Sequence, residues 1–587
     1  MYPERKLSYY INKSKSIDTN KLEKKINVAI LSSFTINGLE ESIRVKCSEK
    51  NVGCTTYVSG YNQYNQDILN PDSELYKFSP DISFLILDTR SILRDLFYTP
   101  YSGSDVYRKE FIDKRANELL DLAKTFTKRS NSKLIITNFS IPTYSPYGIY
   151  ETKQEYGFQD MVIDLNSKLS RGVFSEPSIY IYDFNAFVAR YGEINVFDYR
   201  QFFFGDMKVA LQYIPYLAED LMGYIKPLLG INRKCIVLDL DNTLWGGVLG
   251  EDGFEGIELG PRAPGIGFVE FQRHLLSLNQ RGVILAINSR NNSEDALKVI
   301  RDHPSMVLRE ENFGALRINW NDKITNMKEI AQELNIGLDS IVYIDDDPIN
   351  RELMGKVLPQ VLTIDLPKDS ALYAPTLMRL SDLNVLTITS EDIKRSQMYM
   401  QQRKRIELEK TSESNLEDFL SQLGIRIKIK KADEFTIPRI AQLILKTNQF
   451  NLTTYRYQEE DIRRFCQDRN IMVGCAQIED KFGDNGITGA FIVRKDGDSS
   501  EWTIDTFLLS CRVMGRGIED AIMSFILNEA KREGITKIKC LYIPTKKNKP
   551  CEEFLPNCGF KKEGEYWVYW SNIPAKIPKH LELLVES

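Results

Sequence analysis

The sequence predicts a mostly parallel α/β protein with a mixed-sheet region at its C-terminal end. Two observations predict the parallel sheets. Short unbroken apolar runs, the pattern of strands buried on both faces, recur along the first two-thirds of the chain, and helix-period stretches separate them. A third observation, the length of 587 residues, exceeds what one hydrophobic core supports and argues for about three domains. The boundaries read from composition are an N-terminal arm at 1–25, domains at 26–230 and 231–385, a charged linker helix at 386–414, and a last domain at 415–587.

Composition narrows the function classes. A net charge of -5 gives no electrostatic case for nucleic acid, and the basic run at 428–431 reads as a solvated face. No run approaches the roughly 20 apolar residues of a membrane span, and the opening MYPERKLSYYINKSKS lacks the apolar core of a signal peptide. A cytoplasmic protein is the expectation. Nine cysteines are dispersed without paired C-x-x-C spacing, so a zinc site is not expected.

In the first domain the apolar runs 27–31, 84–87, 133–137 and 179–181 alternate with helical stretches such as 113–127. The first run leads into LSSFT, which resembles the G-D-S-x-T start of SGNH hydrolases, with Ser33 in the nucleophile position. A serine nucleophile needs a base, and the three histidines of the chain are His274, His303 and His580, none of them in this domain. The expectation is therefore a degenerate SGNH-like, flavodoxin-type domain that binds or docks. The tract YRQFFFGDMKVA closes it.

The second domain carries the chemistry. The run at 235–240 ends in Asp239 and Asp241, followed by Asn242 and Thr243, so a buried strand delivers carboxylates to the carboxyl edge of a sheet, where ligands bind. Three further parts follow in order: a strand at 284–288 ending at Ser289, then Lys323 in an amphipathic stretch, then a strand at 341–344 ending in Asp345, Asp346 and Asp347. Phosphoryl transfer needs these parts. Asp239 would attack phosphorus, Asp241 would act as general acid and base, and Ser289 and Lys323 would hold the transferring oxygens. Asp239, Asp241, Asp345 and Asp346 are the expected Mg2+ set, and Asn242, Thr243, Ser289, Arg290 and Lys323 the expected phosphate contacts.

This four-part order resembles the haloacid dehalogenase (HAD) superfamily, and LDLDNTLWGGVLGEDG with YIDDDP downstream resembles the FkbH-like family within it. The gaps between the parts hold one helix each, 268–278 and 293–301, so no cap domain is expected over the Rossmann-like sheet. One departure stands out. Many family members read C-S-K-N after the second strand, whereas this chain reads Asn288-Ser289-Arg290-Asn291, which removes a cysteine able to carry an acyl group in transit.

In the last domain, the strands at 425–429, 471–478, 489–494 and 501–509 suit a mixed sheet, and CRVMGRGIEDAI follows them. The spacing Arg512-x-x-Gly515-x-Gly517 between a strand and a helix would aim backbone N–H groups at a pyrophosphate. This order resembles the GNAT acetyltransferase fold. The resemblance implies that Arg512, Val513, Gly515, Arg516, Gly517 and Asn548 bind CoA or a phosphopantetheine arm, with Cys511 a possible thiol. For the whole chain it implies an enzyme that dephosphorylates 1,3-bisphosphoglycerate, a small three-carbon substrate, and loads a glyceryl unit as a thioester on an acyl carrier protein in secondary metabolism of the polyketide type. The rivals are a phosphatase of another acyl or sugar phosphate, a CoA-dependent N-acyltransferase, and a carrier-docking scaffold.

Overall fold

A computed structural model describes residues 5–393, 398–399, 401, 416–495, 500–545, 547–570 and 577–586. The chain divides into two compact units, Met1–Ile225 and Lys226–Ser587.

The first unit is built on five parallel strands: β1 (Lys24–Ser32), β2 (Val52–Val58), β3 (Ile82–Ile86), β4 (Lys133–Thr137) and β5 (Ile179–Tyr182), in the order β2-β1-β3-β4-β5. That order is the flavodoxin-type double winding, whose switch point lies between β1 and β3. β3 and β4 are buried at every residue, which is why their sequences are unbroken apolar runs. β2 escapes a sequence reading because it lies at the edge and its second half, Thr55 to Val58, is polar or exposed. The helix Asp105–Arg129 packs on this sheet through Ile112, Ala116, Leu119, Ala123 and Phe126, a stripe at helical spacing. It starts where the Ser104 side chain accepts the Tyr107 N–H, an N-cap worth about 1 kcal/mol.

The second unit contains two sheets. Five parallel strands, β6 (Cys235–Leu238), β7 (Ile284–Ser289), β8 (Phe313–Ile318), β9 (Ile341–Asp345) and β10 (Leu362–Asp365), run in the order β10-β9-β6-β7-β8. The helices Leu249–Gly256, Gly265–Gln280, Ser293–Asp302 and Lys323–Glu333 connect the first four, and among the described residues none of these connections holds a further sheet. The register is what builds the site. Leu238 pairs with Ile287 on one side and Ile344 on the other, so Asp239 leaves the central strand level with the ends of β7 and β9.

The other sheet is mixed. Its strands are β11 (Ile425–Lys431), β12 (Phe450–Asn451), β13 (Ile471–Asp480), β14 (Gly483–Lys495), β15 (Glu501–Leu509), β16 (Lys537–Leu541), β17 (Lys561–Glu563), β18 (Tyr566–Trp570) and β19 (Leu581–Glu586). The order is β17-β18-β16-β15-β14-β13-β11-β19, with β12 paired to β15 off that path. β15 meets β16 in parallel only from Glu501 to Ile504. Beyond that point β12 takes the vacated edge of β15, pairing Phe450 with Leu509 and Asn451 with Leu508. Leu452 then bridges the gap, its N–H donating to Phe507 and its carbonyl accepting the Ile543 N–H.

Of the linker helix expected at 386–414, Ser390–Ile393 is helical, and 394–397, 400 and 402–414 lie outside the described residues. Among the described residues, no helix is long and apolar enough to cross a membrane.

Candidate active site

Asp239, Asp345 and Asp346 gather at the carboxyl edge of β6 and β9, each offering an oxygen within 4.8 Å of the others. The first two are buried and the third is half-buried. Lys323 stands among them, donating to Asp239 Oδ2 at 2.7 Å and to Asp345 Oδ2 at 2.6 Å. Its position follows from local sequence. Lys323 opens the helix Lys323–Glu333, whose N-cap Asp322 accepts the Thr325 N–H.

Charge decides what this cluster fits. Three carboxylates around one ammonium leave an excess of about two negative charges in a poorly solvated place. The consequence shows at Asp346, whose carboxyl is pushed up to about 6 by burial and by the charges of Asp239 and Asp345. Asp239 is raised for the same two reasons, burial first, with the Lys323 ammonium and a Ser289 hydrogen bond offsetting part of the rise. Lys323 itself is lowered by burial, but Asp239 and Asp345 more than offset that and keep it charged. The two directions pull apart, and the twice-bridged ammonium argues that the ionised pair prevails. A hard divalent cation among these oxygens would cancel the excess, so the donor set fits such an ion.

Asp345 is held more tightly than the sequence suggests. The Tyr343 hydroxyl donates to its Oδ2, the Asp347 N–H donates to Oδ1 at 2.9 Å, and Arg351 grips the carbonyls of Asp345 and Asp346. Asp345 and the neighbouring charges in turn keep the fully buried Tyr343 hydroxyl protonated, burial contributing most.

Asp241 requires a correction. Expected among the metal ligands, its carboxylate lies outside the cluster because other donors claim it: Oδ1 accepts the Trp245 indole N–H at 2.9 Å and the Leu249 N–H at 3.1 Å, and Oδ2 accepts the Asn291 amide at 2.9 Å. Three donors fix its orientation, which suits a group that moves a proton better than one that binds a cation. Asn242 adopts a left-handed φ of 53°, and its side-chain oxygen accepts the Gly247 N–H, so it shapes the turn. Thr243 is fully buried with its hydroxyl unpaired. Ser289 is buried beside Asp239, and Arg290 is exposed.

Asn288, in the position of the missing cysteine, is a fully buried bracket: its amide donates to the Lys323 carbonyl at 2.9 Å and accepts from Asn326 at 3.1 Å. Trp245, Asn291 and Tyr343 are thus site residues whose roles motif reading missed, and Asn288 was read only for the cysteine it replaces. Each stands inside a quoted string, but nothing in the string tells which acceptor its side chain meets.

At the other predicted sites the outcomes differ. Ser33 is buried at the end of β1, where its hydroxyl accepts the Asp88 N–H at 2.8 Å and a weaker bond from Ser91. The turn after β15 does join a strand to a helix, Ile518–Arg532, through left-handed Gly515 (φ 74°) and Gly517 (φ 76°). Val513 is buried in the hydrophobic core, so it offers a ligand no side chain. The Arg516 carbonyl meets His580 at 2.8 Å, and its guanidinium lies 3.6 Å from Asp480. Asn548 also needs correcting: both amide hydrogens are spent on the carbonyls of Asn451 and Ile543, and its oxygen accepts from Thr545, so it pins β12 and has no capacity left for a pantetheine arm. The Cys511 side chain lies outside the described residues.

Residues 27–226 match the family model for the FkbH N-terminal domain. A crystal structure of the N-terminal part of a Bacteroides fragilis protein, containing a phosphatase domain and complexed with Mg, matches over 66% of this chain and 100% of its own at 28% identity, with a TM-score of 0.61. Over a quarter of the chain, solved acetyltransferases give weaker matches. A spermidine N-acetyltransferase variant from Vibrio cholerae is 12% identical over 25% of this chain and 94% of its own, TM-score 0.21, and a GNAT-family acetyltransferase from Staphylococcus aureus is 14% identical over 25% and 99%, TM-score 0.20. No curated protein matches the sequence.

The parallel sheet β10-β9-β6-β7-β8 and its carboxylate–lysine cluster lie in a chain similar, over 66% of its length, to the Bacteroides fragilis structure with its phosphatase domain. Residues 27–226 carry an FkbH N-terminal domain.

Proposed function

We propose that this chain dephosphorylates 1,3-bisphosphoglycerate and delivers the glyceryl unit as a thioester to the phosphopantetheine of an acyl carrier protein. The observation that carries the phosphatase half is the cluster of Asp239, Asp345 and Asp346 around Lys323. Mg2+ held by those three carboxylates would supply the positive charge that lets an anionic nucleophile approach a phosphoryl dianion. Asp239 attacks phosphorus as the ester oxygen departs, Asp241 gives that oxygen a proton, and Asp241 then takes a proton from the water that hydrolyses the aspartyl phosphate. Ser289 and Lys323 bind the transferring oxygens.

The acyl half needs no protein thiol in principle. The carrier's thiol can displace phosphate from the acyl carbon directly: a C–S bond forms, the C–O bond to phosphate breaks, and inorganic phosphate leaves with the thiol's proton. That route suits a chain with Asn288 in place of the relay cysteine. The nearest cysteine on the same strand as Asp239, Cys235, sits at the strand's far end, fully buried, with its thiol pushed far up by that burial. A site without a cap also suits a substrate carried on a protein.

Incubation with bisphosphoglycerate and a phosphopantetheinylated carrier, followed by intact mass of the carrier, tests the reading. A glyceryl adduct supports it. Phosphate release with an unmodified carrier would leave a phosphatase of a small acyl or sugar phosphate, the rival that the same cluster favours.

A further inference from the structure

The tract YRQFFFGDMKVA, which closes the first domain, has no part in the phosphatase chemistry, and its setting is unusual for so apolar a string. Its helix, Tyr199–Gly205, carries three successive phenylalanines and buries no residue. Phe203 and Phe204 are 74% and 85% exposed, and Ile194, ahead of the helix, is 89% exposed. Successive helical residues point about 100° apart, so a helix that coats a core would turn at least one of the three inward. Here Phe202 is the most sheltered, and it is only half-buried.

What Phe202 faces is Arg90. The Arg90 guanidinium lies 4.6 Å from the Phe202 ring centroid, 5.2 Å from that of Phe97, 5.6 Å from that of Tyr199 and 5.9 Å from that of Phe203. Cation and rings line a recess of about 40 Å³ at the carboxyl edge of the first sheet: Thr89 and Arg90 follow β3, Ser140 and Pro142 follow β4, and Phe202 follows β5. Ser33, which follows β1, is not part of its lining.

The charge at this recess is uncompensated on one side. Arg90 is half-buried and meets no carboxylate at ion-pair distance among the described residues, and the same holds for the exposed Arg200 on the helix itself. The acids of the lining are turned to neutral donors of their own loops. Glu193 accepts the hydroxyls of Thr143 and, at 3.4 Å, Tyr199, and Asp198 accepts the Gln201 N–H at 2.9 Å. Lys208, the other cation of the lining, pairs with Asp88. The recess is far below the roughly 300–1,000 Å³ of small-molecule pockets, so it fits the end of one side chain and not a whole metabolite. Around it lies open apolar and aromatic surface, which Tyr144, beside Thr143, extends. An arginine among aromatic rings, with a small enclosed anchor point, is the composition found at the energetic centre of protein–protein contacts.

We propose that this face docks a partner protein through a segment that presents one carboxylate between apolar side chains. The carboxylate enters the recess against Arg90, where the pair is charge-assisted and able to be bidentate. The apolar side chains cover Phe203 and Phe204, which the chain itself leaves open. The proposal is independent of the phosphatase reading and of the acyl group.

Selection of a random dodecapeptide display library on the full-length protein, with depletion on a Phe203→Ser/Phe204→Ser variant, tests this. The expected consensus places Asp or Glu among apolar residues. The resynthesised consensus peptide, titrated by fluorescence polarisation, should bind one-to-one and lose about tenfold in affinity when its acid becomes the amide. It should lose about as much on the Phe203→Ser/Phe204→Ser protein, whose melting temperature should stay near that of the wild type because neither ring is buried. Arg90→Gln should bind the acid and amide peptides equally, which a purely structural role for Arg90 would not produce. No consensus, a consensus without an acid, or an Arg90→Gln protein that still tells acid from amide would overturn the proposal. So would a wild-type dimer that the phenylalanine variant dissociates in light scattering, because the face would then belong to a second copy of this chain.

Discussion

The two parallel sheets of this chain each end a buried strand in a polar residue at the carboxyl edge, yet among the described residues only one of them gathers a cluster of carboxylates around a lysine. At the end of β1, Ser33 accepts hydrogen bonds from the Asp88 N–H and from Ser91, while Asp88 is engaged by Lys208. Among the described residues, no histidine stands beside it to take the serine proton. At the end of β6, Asp239 meets a lysine, two further carboxylates and a serine delivered by the neighbouring strands. The lesson is that a strand end at a topological switch point supplies a location, and that chemistry requires partners whose charges conflict until a substrate or ion resolves them.

The largest effect that could break this contrast belongs to the nucleophile. Asp239→Asn should lower phosphate release by roughly 10⁴-fold or more while the circular dichroism spectrum stays unchanged; a folded variant with full activity would contradict the assignment. Lys323→Ala comes next. It leaves Asp239 and Asp345 buried without their counter-ion, so phosphate release should fall by about 10²–10³-fold and stability by about 3–5 kcal/mol, read by denaturant titration. Wild-type stability in that variant would mean that the bridging lysine is not as buried as described.

The pH dependence has a definite sign. Asp346 is raised to about 6, so it gains a proton as pH falls through that value and ceases to attract a cation. At limiting Mg2+, activity should drop below pH 6, and excess Mg2+ should restore part of it; a profile flat from pH 7 to 5 would remove Asp346 from the cation set. A smaller change is expected for Trp245→Phe, which deletes one of three donors to Asp241. About a tenfold loss in kcat with KM little changed is predicted, because only the proton-transfer step loses orientation. Ser33→Ala should have the smallest effect, less than about twofold in phosphate release, and esterase activity abolished by that change would overturn the reading of the first sheet.

Much of this contrast was legible in the sequence. Asp239, Ser289, Lys323 and Asp345 could be read because each follows an apolar run or opens a helical one, and the strands β9, β6 and β7 that end near them are neighbours in one sheet. Tyr343 could not, since a tyrosine inside a buried strand reads as core until the carboxylate two residues on is seen to accept its hydroxyl. Trp245 and Asn291 were equally hidden: their role lies in one acceptor, Asp241, reached from separate segments. Asn548 misled for the converse reason, as an exposed-looking polar letter that is fully buried and saturated. β12 is two residues long, below what periodicity can register, yet it decides that the edge of β15 is closed.

The central claim is that phosphorus is attacked by Asp239 and not by any group of the first sheet. Acid-quenching the enzyme during turnover, digesting it and locating the transferred phosphoryl group by peptide mass tests this most directly. The account predicts a phosphoryl group on the peptide that contains Asp239, absent in Asp239→Asn. A phosphoryl group on the peptide that contains Ser33, or turnover with no phosphorylated peptide at any quench time, would contradict it.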